Sequence, residues 1–301
     1  TPMARAENGR EPRQPEPRYL TAPARWSERW RSRLLAILPQ HAISGVAFRV
    51  TRSRRRWLIR PLIGWFSRRF HVATDEAQTA APDTYPDFNS FFTRPLKPGA
   101  RPIAADEAAV VAPADGALSA VGPITDDRLI QAKGRYYSVT ELLGGSRERA
   151  APFRDGSFAT IYLAPGDYHR VHMPLAGDLR EMVHVPGRLF SVNRATVRSV
   201  PRLFTRNERV ACLFHTGTEP FAVVLVGAIN VGSIATAWAG DITPPRGKHT
   251  RTTAYPAGEV ALGRGEELGR FNMGSTVITL FPPGCVQWDA RLEADGRGRG
   301  G

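Results

Sequence analysis

From about residue 105 the chain is broken by Gly and Pro into short apolar runs, a punctuation that leaves no room for long helices over most of its length. AAVVAPADG, DRLIQAKG, SFATIYLAPGD, RVACLFHTG, FAVVLVGAINVGSIATAWAG and STVITLFPPG each set β-branched or aromatic residues beside turn residues. Runs of this kind read as strands. Parallel strands need crossovers of a dozen or more residues, so turns this closely spaced predict antiparallel pairing. The expected fold class is α+β: a β-rich antiparallel domain carrying one short helix, SVTELLG (138–144), and preceded by an N-terminal amphipathic helical segment. The nearly uncharged stretch 221–240 is interrupted by Gly227, Asn230, Gly232, Ser233 and Thr236. Two buried strands joined at a Gly turn fit it better than a membrane span.

The first 70 residues follow a different rule. They hold sixteen Arg and no Lys against Glu7, Glu11, Glu16 and Glu28, which accounts for nearly all of the chain's formal net charge of +13. Residues 1–25 are Pro-rich and poorly apolar and read as a disordered leader. Residues 26–75 have helical spacing, with Trp57, Leu58, Leu62, Ile63, Trp65 and Phe66 grouped apart from Arg54, Arg55, Arg56, Arg60, Arg68 and Arg69. Basic residues interleaved with Trp, Leu and Ile suit an anionic membrane surface better than nucleic acid, so no nucleic-acid partner is expected. No apolar run here approaches the ~20 residues of a transmembrane helix. Two readings stay open: an interfacial membrane anchor that also carries Trp26 and Trp30, or a helical pair docked on the rest of the protein with its basic side outward. Beyond it, DFNSFFTRPL (87–96) predicts a short helix stopped by Pro95, with Phe88, Phe91 and Phe92 as its buried side. Residues 295–301, rich in Arg and Gly, read as a flexible tail.

Cys212 and Cys285 are the only cysteines, and neither stands in a metal-ligand spacing, so no metal is expected. Three other segments combine reactive side chains with turn residues. PADG places Asp115 at a tight turn, and an Asp-Gly pair taken alone is a turn former. PGDYHRVHMP places His169 and His172 three apart. In a regular strand they would face opposite ways, so a shared site needs a bend. On the residues alone they are open to structural, acid/base or metal-binding roles. GRFNMGSTVI sets Ser275 after Gly274 and before a β-branched run, without the G-x-S-x-G pattern of a nucleophile elbow. Together these segments supply Asp, His and Ser, the types that activate a serine hydroxyl in any chain order. Gly274, lacking a Cβ, would let a group approach its carbonyl.

The segments FNSFFTRPLKPGARPI, PADG, LIQAKGRYYS, LAPGDYHRVHMPLAGDLREMVHVPGRLFSVN, LFTRNERV, VGAINVGSIATAWAGDITPP and GRFNMGSTVITLF, in this order, closely resemble bacterial phosphatidylserine decarboxylase proenzymes. The resemblance covers roughly residues 45–290. Met273 stands where the family commonly has Leu, an apolar exchange that leaves the Gly-Ser-Thr step whole. The resemblance implies that residues 76–294 form a pyruvoyl-dependent decarboxylase domain that cuts itself between Gly274 and Ser275 into a β chain (1–274) and an α chain (275–301). It assigns Asp115, His172 and Ser275 to self-cleavage, Ser275 becoming a covalent pyruvoyl group that serves as the cofactor. That group would form a Schiff base with phosphatidylserine, and loss of carbon dioxide would yield phosphatidylethanolamine. A histidine near neutral pKa suits return of the proton, and the resemblance points to His169. It further implies a peripheral enzyme on the cytoplasmic face of the bacterial membrane, with anionic lipid as its surface partner; a homo-oligomer is compatible with the sequence. A serine hydrolase with the same triad and a non-catalytic membrane adaptor are the rival classes.

Overall fold

The computed structural model describes residues 40–132, 134–228, 233–243, 247–272, 275–289 and 297–298. The expected leader, Trp26, Trp30 and Gly274 lie outside the described residues. Two helices come first, α1 (Gln40–Thr51) and α2 (Arg56–Phe70). A left-handed residue, His71 at φ 52°, ends α2 and returns its N–H to the Ser67 carbonyl. The short helix α3 (Phe88–Phe92) begins where the Asp87 carboxylate accepts from Ser90 N–H at 2.7 Å.

Helix α2 buries Ile59, Ile63 and Phe66, which lie four and three residues apart and so share one side of the helix. Phe66 meets Phe88 and Phe92 of α3 with ring centroids 5.1 and 5.9 Å apart. Each such side chain contributes about 1.5–3 kcal/mol on leaving water, enough to dock the helix on the body of the protein. Trp57 and Trp65 do not join this cluster and are 72% and 54% exposed. They fall opposite the Ile59–Phe66 stripe, on the side that carries Arg68, so the expected grouping of both Trp with Ile63 and Phe66 is corrected by helical geometry.

Fifteen strands are described: β1 (Gly116–Pro123), β2 (Arg128–Ala132), β3 (Arg135–Ser138), β4 (Ser157–Leu163), β5 (Arg170–His172), β6 (Gly177–Val185), β7 (Arg209–Thr216), β8 (Glu219–Val226), β9 (Ile234–Thr236), β10 (Gly240–Asp241), β11 (Arg251–Ala254), β12 (Ala261–Leu262), β13 (Glu267–Phe271), β14 (Ser275–Phe281) and β15 (Arg297–Gly298). All ladders between them are antiparallel. The large sheet runs β11-β6-β7-β8-β14-β4-β1-β15 with β12 beside β6, a smaller one runs β10-β9-β13-β5, and β2 pairs with β3. This is the expected α+β architecture. Every residue of β14 is buried between β4 and β8, which is why STVITLF shows no polar alternation.

The 221–240 stretch does contain two buried strands, β8 and β9, but they belong to different sheets rather than to one hairpin. Among the other connections that pass between these sheets are those from β4 to β5 and from β13 to β14. All three reach the large sheet at one place. Leu163, the last residue of β4, pairs with Ser275, the first of β14; Val226, the last of β8, pairs with Thr276. The sheets therefore meet along a seam whose described residues are 164–169, 227–228, 233 and 272.

Candidate active site

Ser275 opens β14 at this seam and is fully buried. Its Oγ finds no hydrogen-bond partner among the described residues, and neither do Thr276 Oγ1 and His169 Nε2. A buried polar atom left unpaired costs about 1–3 kcal/mol, so the Ser275 hydroxyl is held here at a cost to stability. The backbone ties the seam together: Phe271 N–H donates to the His169 carbonyl, and Asn272 N–H to the Ser233 carbonyl, both at 3.0 Å.

His169 precedes β5 and is fully buried, its ring 4.1 Å from that of Phe92. Nδ1–H donates to the Asp167 carbonyl at 2.8 Å, which leaves Nε2 as the unprotonated atom. Burial pushes the imidazole down to about 3; the Asp167 bond opposes this and the Arg94 charge adds to it. The near-neutral pKa expected of His169 is therefore not found in this arrangement, because burial beside Phe92 disfavours the charged ring. The sign follows directly. An unfolded His169 takes up a proton near pH 6.5 and the folded one only near pH 3, so its contribution to stability is complete above 6.5 and is lost as pH falls toward 3. The urea midpoint of the uncut protein should fall across that window, and His169→Gln should flatten the fall; an unchanged slope in the variant would show the ring already charged.

Asp115 and His172 come together at a cavity of about 250 Å³, lined also by Lys97, Arg101, Tyr168 and Glu267. The PADG turn reaches β5 because His172 N–H donates to the Pro113 carbonyl at 2.7 Å. Gly116 is required there, since a Cβ would stand 2.4 Å from the Tyr162 carbonyl. His172 Nδ1–H donates to the Gly265 carbonyl at 2.8 Å, and Nε2 lies 3.1 Å from the Tyr168 hydroxyl, which donates to it in that tautomer. The Asp115 carboxylate receives Arg101 Nε at 3.0 Å and Nη2 at 2.6 Å, while the same Nη2 reaches Glu76 at 2.8 Å. Those carboxylates, Asp115 first, hold the Arg101 guanidinium well above its usual range.

Ala117 and Thr276 both pair with Tyr162, from opposite sides of β4. Two strand spacings, about 10 Å, therefore separate the Asp115 turn from Ser275. The structure brings Asp115 and His172 to one cavity and Ser275 and His169 to the adjoining seam, and it holds the two pairs apart. Arg101 and Tyr168, the groups that occupy Asp115 and His172, had no sequence signal of their own, since neither pairing follows from spacing. For His172 to take a proton from Ser275, Nε2 must first be released by the Tyr168 hydroxyl.

The sequence model of a family described as phosphatidylserine decarboxylase matches residues 88–299, and one described as PSD matches residues 32–71. The chain is 54% identical over 260 residues to a phosphatidylserine decarboxylase proenzyme of Nitrosococcus oceani, an alignment covering 86% of this chain and 85% of that one. It is 55% identical over 260 residues to the proenzyme of that name from Ectopseudomonas mendocina, covering 86% of this chain and 91% of the relative. The same name belongs to a protein of Alkalilimnicola ehrlichii, 55% identical over 260 residues, with 86% and 90% covered.

Proposed function

The chain belongs to the phosphatidylserine decarboxylase family, and from that membership we propose that it matures by cutting itself before Ser275 and then converts phosphatidylserine to phosphatidylethanolamine. Family membership makes the chain a decarboxylase and sets aside the non-catalytic adaptor. The observation that carries the cleavage reading is the buried, unpartnered Oγ of Ser275 at the point where the chain changes sheets. A hydroxyl with no competing partner is available to the carbonyl of the peptide bond before it.

In this reading Ser275 Oγ attacks the Gly274 carbonyl as His172 takes its proton. The C–N bond breaks and leaves an ester with a free amine at residue 275. Abstraction of the Ser275 α-proton then expels the Gly274 carboxylate, and hydrolysis of the resulting enamine releases ammonia. Asp115, once free of Arg101, would hold the charge that develops on His172. The site fits the product of these steps, because it is closed to solvent and the buried His169 Nε2 at the same seam has no partner among the described residues. A pyruvoyl group at residue 275 supplies a carbonyl that captures the substrate amine and accepts the electrons released with carbon dioxide. His169, whose Nε2 lies unpaired at the seam, is the residue proposed to return a proton to the α-carbon. Desolvation keeps that proton off until a substrate carboxylate or its product alters the local charge. The direct test is intact mass: the purified protein should contain chains 1–274 and 275–301, the smaller with a carbonyl-reactive end, and should release carbon dioxide from phosphatidylserine. A single chain with acyl-enzyme chemistry would instead support a hydrolase.

The same reading places the enzyme on the cytoplasmic face of the membrane. Arg54, Arg55, Arg56, Arg60, Arg68 and Arg69 are exposed beside Trp57 and Trp65, and no described helix is long and apolar enough to cross a bilayer. Helix α2 docks through one side, and its other side is exposed, which is the side we propose meets lipid. Deleting residues 1–70 would uncover Phe88, Phe91 and Phe92, so surface substitutions give the cleaner test. Replacing Arg54, Arg55 and Arg56 by Gln should weaken sedimentation with anionic vesicles about 10²-fold at 0.1 M salt, at ~1 kcal/mol per Arg. Little of that difference should remain at 1 M salt, where the Debye length is ~3 Å. Equal binding by both proteins at low salt would mean that the helices only cover the Phe cluster.

A further inference from the structure

A second cavity, of about 560 Å³, adjoins the first through Pro95 and Arg170, and nothing in the self-cleavage chemistry uses it. Arg52, Arg170, Arg270, Asp241, Asn89 and Asn272 are among its lining residues. Three guanidinium groups from distant parts of the chain converge here: Arg52 just after α1, Arg170 on β5 and Arg270 on β13. Arg52 Nη2 reaches Asp241 at 2.9 Å, but its Nη1 is buried without a partner among the described residues. Arg170 and Arg270 share Glu267, Arg170 at 2.6 Å and Arg270 loosely at 3.6 Å. Three cations against two carboxylates leave one positive charge uncompensated, and a phosphodiester carries one negative charge.

We propose that this cavity binds the phosphodiester of the phospholipid headgroup, with Arg52 and Arg270 as its specificity-determining cations. The inference rests on the reading of Ser275 as the reacting residue. Asn272 stands three residues before Ser275, at most about 11 Å along the chain. The serine amine and the phosphorus of the substrate are four bonds apart, about 5 Å at ~1.5 Å per bond. With the phosphate among these arginines the amine can extend about 5 Å from it, along the wall that includes Asn272 and toward the strand that residue 275 opens, and a cavity of this size lies in the ordinary ~300–1,000 Å³ range for ligands of that bulk. The glycerol end would leave past α1, where Val46 and Val50, one turn apart, are 59% and 38% exposed.

The test is calorimetric titration of the full-length protein with glycerophosphoserine, glycerophosphoethanolamine, serine and inorganic phosphate. Both phosphodiesters should bind and serine should not; inorganic phosphate competing as well as either would overturn the lipid assignment in favour of a general oxyanion site. Arg270→Gln and Arg52→Gln should each weaken glycerophosphoserine binding about tenfold or more, as expected for losing a charge-assisted bond. They should raise KM for phosphatidylserine in mixed micelles by a similar factor while changing kcat far less. Asp241→Asn removes a competing carboxylate and should shift affinity the other way, a result that misfolding cannot imitate. Unchanged affinity in all three variants would overturn the proposal. Failure of the Ser275 reading looks different: the wild-type chain would stay uncut on a gel while headgroup binding and its loss in Arg270→Gln persisted.

Discussion

Ser275→Ala is expected to leave one full-length polypeptide with decarboxylation reduced to background. In the proposed path the substitution removes the nucleophile that opens the 274–275 bond, and with it the source of the reactive carbonyl, so the whole path is lost rather than a fraction of its rate. Structure adds a second expectation. The hydroxyl is buried and unpaired, so deleting it removes a desolvation cost of about 1–3 kcal/mol and opens a void of only one oxygen. The alanine variant should therefore be at least as resistant to urea as an uncut wild-type chain. A denaturing gel and a urea titration read the two effects separately; an alanine variant that still yields chains 1–274 and 275–301 would remove Ser275 from the chemistry.

His172→Ala is expected to slow the appearance of the 275–301 chain by about 10²–10⁴-fold, the usual range for losing a general base. His169→Ala should mature and then turn over slowly, since its ring is not among the groups that line the Asp115 cavity. Tyr168→Phe separates the steps further. Its hydroxyl occupies His172 Nε2 in the uncut chain, so removing it should leave maturation intact or faster, whereas a Tyr168 that relays the proton would make the variant slow. Maturation time courses followed by gel, with turnover measured on matured protein, distinguish these outcomes. Equal maturation and equal turnover in the two histidine variants would end the division of labour between them.

Much of this was legible in the residues. STVITLF predicted a strand from its β-branched residues beside a turn, and Phe88, Phe91 and Phe92 predicted the buried side of a short helix from their spacing alone. The family segments carried Asp115, His169, His172 and Ser275 with their numbers. What stayed hidden depends on contacts between distant parts of the chain. Nothing in ARPI or PADG says that Arg101 clamps Asp115, because fourteen residues of irregular chain separate them. Nor does H-x-x-H say which imidazole is sealed from water. That is decided by Phe92, which arrives from outside the strand. Trp57 and Trp65 were misplaced because hydrophobicity was read in place of angle: a Trp on the outer side of a helix needs a surface to meet, and composition does not name it.

The position of β14 has a consequence for the lifetime of the protein. Its ladders to β4 and β8 run along both edges, so a cut before Ser275 severs the covalent link to β13 without releasing the strand. Before the cut, folding is a reaction within one chain. Afterwards, a molecule that unfolds separates into two pieces that must find each other at cellular dilution, and the small one exposes an apolar strand while it searches. Self-cleavage would thus turn an equilibrium protein into one held native by the height of its unfolding barrier alone. Such an enzyme ages by single irreversible events, and its stock is renewed only by new synthesis.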